Sequence, residues 1–80
     1  MSLGPILKEL RITRKLSLRE VEQGTGISNG YISQLESGKV KKPSVFFIHK
    51  LANLYGYTID EILEMSGFIK PVFLRKKGER

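Results

Sequence analysis

Residues 17–38 constrain this chain more than any other stretch, because they hold two helix-sized segments separated by a glycine-bearing bend of only a few residues. Ser17 with Glu20 three positions on is a capping box, in which each side chain satisfies the other residue's orphan backbone N–H, and it starts a short helix over about 18–23. Gly24, Thr25 and Gly26 should end that helix, since glycine takes the left-handed conformation that reverses a chain. Ser28 caps the next helix, which runs to about Ser37 with Tyr31, Ile32 and Leu35 inward and Gly38 as its terminator. A pair of helices joined so tightly can hold the second one proud of the body.

The flanks supply a scaffold for this unit. Leu3, Ile6, Leu7 and Leu10 recur at three- and four-residue spacing, which predicts an amphipathic helix over 3–14 with Ser2 as N-cap and Pro5 in the tolerant first turn. Residues 39–43 form a basic loop. Ser44 caps a fourth helix through Tyr55, Gly56 stops it, and Thr58 caps a fifth that ends near Met65. The inner stripe of the fourth helix reads as Val45, Ile48, Leu51, Ala52 and Tyr55, so Phe46 and Phe47 cannot both point inward. The expected fold is all-α: five compact helices in one domain over 1–66, followed by a basic and apolar arm over 67–80.

Composition narrows the function. Eighty residues suit a single small core, and 40% apolar residues provide it. Fourteen Lys and Arg against eight Asp and Glu give a net charge of +6, which favours a polyanion as partner. With no cysteine there is neither a disulfide framework nor a thiolate metal site. No apolar run is long enough for a membrane or a secretory signal, so the expectation is cytoplasmic. His49, the only histidine, falls among apolar residues of the fourth helix with no second ligand or nucleophile at a useful spacing. It reads as core, and the sequence suggests no enzyme, no cofactor and no metal.

At this point the chain resembles the lambda-repressor-like, or Xre-type, helix-turn-helix transcriptional regulators. The resemblance is carried by Leu16-Ser17-Leu18-Arg19-Glu20-Val21, by Gly26-Ile27-Ser28 and by Tyr31-Ile32-Ser33-Gln34-Leu35-Glu36-Ser37-Gly38-Lys39, and it extends over Pro43-Ser44 and Leu51-Ala52 to Gly56 and Ile62-Leu63. It implies a sequence-specific regulator, a repressor among other possibilities, whose third helix lies in the major groove of double-stranded DNA. Ser28, Asn29, Gly30, Ser33 and Gln34 would then face the bases. Asn29 and Gln34 suit adenine, whose donor and acceptor an amide engages bidentately, and Gly30 admits close backbone approach. Tyr31 is either core or a phosphate contact. Phosphates would be met by the caps Ser17 and Ser28 and by Arg19, Ser37, Lys39, Lys41 and Lys42, which position without reading sequence.

The same resemblance implies a pair between Arg11 of the first helix and Glu36. Three positions depart from the family: Leu18 stands where many relatives have a glutamine that meets the DNA backbone, Glu22 replaces a small alanine, and Thr25 replaces an apolar residue. The last two are expected to loosen the contact between the helices. Protein partners are the second line of reading. Phe46, Phe47, Phe68 and Phe73 could build a homodimer, hold a sensing partner or engage a toxin if the chain is an antitoxin, or the arm folds back over Phe47. A twofold dimer would set two reading helices about 34 Å apart and demand a near-palindromic site.

Overall fold

The computed structural model describes residues 3–67, and all the regular structure within them is helical: α1 (Leu3–Thr13), α2 (Leu18–Thr25), α3 (Asn29–Glu36), α4 (Val45–Tyr55) and α5 (Ile59–Met65). The caps expected from sequence begin four of the five. Ser17 accepts from the Glu20 amide at 3.0 Å while Glu20 accepts from the Ser17 amide at 2.8 Å, and Ser28 accepts from Tyr31 N at 3.1 Å. Ser44 caps α4, and Thr58 forms a second capping box with Glu61. Ser2 and residues 68–80, including Phe68 and Phe73, lie outside the described residues.

Helix α1 packs on α3, α4 and α5, α2 on α3 and α4, and α4 on α5. Their shared core consists of Leu3, Leu7, Val21, Ile27, Ile32, Leu35, Ile48, Leu51, Ala52, Tyr55 and Ile62. The approach of α1 to α3 is close: a β-carbon on Gly4 would lie 2.5 Å from the Leu35 carbonyl oxygen and 2.6 Å from that of Glu36. Only glycine fits there. The contact sets the first turn of α1 against the C-terminal carbonyls of α3.

Several sequence expectations need correction. Helix α2 continues through Gly24 and Thr25, and the left-handed residue is Gly26, with φ 80°. Val45 is 66% exposed and Phe47 is the residue of the first α4 turn packed against the core, so the buried stripe of α4 begins at Ile48. His49 is exposed instead of core, since Ile48, Leu51, Ala52 and Tyr55 fill the buried face of α4. Thr25 does not loosen the bend. Its hydroxyl is buried but satisfied on both sides, donating to the Val21 carbonyl at 2.8 Å and accepting from Ile27 N at 3.1 Å. From α4, Lys50 Nζ donates to the Thr25 carbonyl at 3.1 Å and tethers the same end of α2. Among the described residues no helix is long and apolar enough to cross a membrane.

Candidate nucleic-acid interface

Helix α3 has two unlike faces. Ile32 and Leu35 are buried, and this locks the helix against α1 and α2, while Ser28, Asn29, Gly30, Ser33, Gln34 and Ser37 are all exposed on the other side. Gln34 makes no side-chain hydrogen bond to any described residue, so both ends of its amide are available. Asn29 is not free in that way, because its Nδ2 donates to Glu22 Oε1 at 2.6 Å. Glu22 is thus a bridge between α2 and α3, contrary to the loosening expected of it; Val21, Ile27 and Ile32 beside it are almost completely buried.

The expected phosphate contacts fall into two groups. Ser17 and Ser28 use their oxygens as acceptors for the helix caps, which leaves each hydroxyl hydrogen to donate outward. Ser37 is different: its hydroxyl donates to the Gln34 carbonyl at 3.1 Å, so that hydrogen serves the end of α3. Arg19, Lys39, Lys41 and Lys42 are exposed, and none has a carboxylate partner among the described residues. Tyr31 is half-buried, with its ring edge-on to Phe47 at 5.2 Å and 79°, and so belongs to the rim of the core.

Arg11 holds this surface in place. Its Nε and Nη2 donate to the two oxygens of Glu36 at 2.8 and 3.1 Å, and Nη1 donates to the Leu16 carbonyl at 2.9 Å. One guanidinium therefore ties α1 to the end of α3 and to the entry of α2, and the hydrogen bonds to Glu36 raise its pKa further. Beside it, Lys8, Leu18, Ser33 and Ser37 line a cleft of about 180 Å³ together with Arg11 and Glu36. Lys8 was not among the residues expected at the site. The available signal was its position three residues before Arg11, on the same side of α1.

A family model described as helix-turn-helix matches residues 7–62. The chain belongs to that family. The lambda-repressor-like resemblance and the five-helix fold are both borne out. Among relatives, this helix-turn-helix chain is 39% identical over 64 residues to the HTH-type transcriptional regulator DdrOP3 of Deinococcus deserti, covering 80% of this chain and 49% of the relative. It is 32% identical over 71 residues to the HTH-type transcriptional repressor RghR of Bacillus subtilis, covering 89% and 53%. The chain thus spans about half the length of the relatives it matches. Among solved structures, the clp gene regulator ClgR of Corynebacterium glutamicum is similar at a TM-score of 0.74 and 26% identity, over 96% of this chain and 79% of that one. The biofilm regulator SinR, solved in complex with DNA, shares the fold at a TM-score of 0.71 and 24% identity, over 76% and 97%.

Proposed function

We propose that this chain is the DNA-binding unit of a transcriptional regulator, with α3 in the major groove of double-stranded DNA. The observation that carries this reading is the division of α3: one face is locked into the core, and the other presents Asn29, Gly30, Ser33 and Gln34 beside cations that no described carboxylate neutralises. Asn29 and Gln34 read base edges, and Gly30 brings the backbone close. Ser17, Arg19, Ser28, Lys39, Lys41 and Lys42 meet phosphates, with Lys8 added from the cleft it shares with Ser33 and Ser37, and Ser37 joins them where its hydroxyl turns away from the Gln34 carbonyl. The relatives named as transcriptional regulators support the same role.

One reading helix covers too few base pairs to find a site in a genome, so the acting species is a homodimer on a near-palindromic operator. A second reading, in which the fourth helix and the C-terminal arm hold a different protein, is favoured by the exposure of Val45 and Phe46 on the first turn of α4. Selection of bound sequences from a random duplex pool tests the main proposal. The expected result is a symmetric consensus with half-sites about 10 base pairs apart. Affinity should fall steeply with salt, and Lys41→Ala with Lys42→Ala should flatten the slope by about two counterions per protomer. Gln34→Ala should cost about 1 to 3 kcal/mol of discrimination at particular base pairs while binding to random duplex is retained. Binding that enriches no sequence, or a full salt slope without the two lysines, would count against it.

A further inference from the structure

Position 22, where the resemblance led to a small alanine, carries a carboxylate within reach of a surface meant for a polyanion. Taken alone, a negative charge there opposes DNA binding. Its environment gives it another role: Glu22 is half-buried, no described cation pairs with it, and its only side-chain partner among the described residues is the Asn29 amide, 2.6 Å away and seven residues on. Asn29 is the first residue of α3 and fully on the exposed face.

We propose that Glu22 determines what Asn29 reads, by fixing the orientation of its amide before DNA arrives. This rests on the reading of Asn29 as a base contact. An exposed asparagine amide can turn over, exchanging its donor and acceptor ends, and in that state it suits more than one base edge. Glu22 removes the choice, because a flip would break a charge-assisted hydrogen bond and set Oδ1 against a carboxylate oxygen. The amide nitrogen has two hydrogens. With one given to Glu22, the other and Oδ1 remain, which is the donor and acceptor pair that matches N7 and N6 of adenine. The carboxylate itself acts in the same direction, since N7 is common to both purines but guanine adds the O6 acceptor, which repels it, where adenine presents a donor amine. Glu22 thus lowers affinity for DNA in general and raises preference for adenine over guanine at one base pair.

The test compares the full chain with Asn29→Ala, Glu22→Ala and Glu22→Gln by selection from a random duplex pool and by affinity for random duplex, with circular dichroism confirming that each variant is folded. Asn29→Ala identifies the base pair concerned as the one whose preference disappears. Glu22→Ala should lose adenine-over-guanine preference at that same base pair by roughly tenfold, within the range of one bidentate contact, and should bind random duplex more tightly than the unaltered chain. Glu22→Gln keeps an acceptor without the charge, so it should keep most of the preference while gaining the same general affinity. In the free protein, the Asn29 side-chain hydrogen bonded to Glu22 should exchange slowly with water, and faster in Glu22→Ala. Unchanged preference at that base pair in Glu22→Ala, or equal exchange in the two proteins, would overturn the role of Glu22 while leaving Asn29 as a reader. If Asn29→Ala changed no position, the underlying reading would fall and this one with it.

Discussion

Tyr55 is the largest side chain sealed in the core, and its hydroxyl finds no hydrogen-bond partner among the described residues. Burial, and then the nearby Glu36 carboxylate, push its pKa up to about 12 from an ordinary value of 10. The unfolded chain ionises this phenol first as pH rises, so the contribution is intact below pH 10 and is lost progressively as pH climbs to about 12. Relative to Tyr55→Phe, the unaltered protein should lose on the order of 2 to 3 kcal/mol across that window, as measured by urea unfolding at a series of pH values. Parallel curves for the two proteins would show that the phenol ionises as easily inside as outside. Single residues are also where the sequence was hardest to read. A threonine at an apolar position looks like a defect until its hydroxyl is seen to bond locally at both ends, as Thr25 does with Val21 and Ile27. His49 was misplaced for the opposite reason: α4 is apolar nearly all round, so the pattern alone does not say which neighbours face out.

At the scale of elements, starts were more legible than stops. Ser17, Ser28, Ser44 and Thr58 each cap the helix expected of them, because a side chain that accepts a backbone N–H is a local signal. Helix α1 ends with Lys15 at φ 60°, a left-handed conformation held without glycine, and nothing in the local sequence marks that stop. The face of α3 was legible because its buried residues recur at helical spacing, yet the bond from Asn29 to Glu22 joins residues on two helices and depends on the bend between them. Gly30 offers a test of that face. A β-carbon there meets nothing within 4 Å, so Gly30→Ala should stabilise the folded chain by roughly 0.5 to 1 kcal/mol through helix propensity. If α3 enters the groove with its backbone close to the bases at this point, the same methyl group should weaken operator binding. Thermal melts and binding isotherms should therefore move in opposite directions, and a variant that is more stable and binds the operator as well as before would place Gly30 away from the closest approach.

For the whole molecule, the question is how two copies of such a small body could meet. The carboxylates Asp60, Glu61 and Glu64 lie on α5, which packs on α1 and α4, while Lys39, Lys41 and Lys42 lie between α3 and α4. The first turn of α4 offers a second copy the apolar side chains of Val45 and Phe46, respectively 66% and 63% exposed. Phe47, paired with Phe46 in the sequence reading, is a poor probe of that contact. Its ring packs against Tyr31 and the core, so replacing it would disturb the reading helix itself. Phe46 is better suited, since its ring is exposed, 6.2 Å from the Phe47 ring and 5.1 Å from the Lys50 ammonium. Val45→Ser with Phe46→Ser should leave folding stability within about 0.5 kcal/mol, as expected for exposed positions. If this turn joins two copies, sedimentation should show the variant as a monomer at concentrations where the unaltered chain is a dimer. Its affinity for a single half-site should be preserved while that for the full palindrome falls towards the same value, because the two reading helices would no longer bind as one unit. A dimer that survives both substitutions would move the contact elsewhere, with residues 68–80 the next segment to delete.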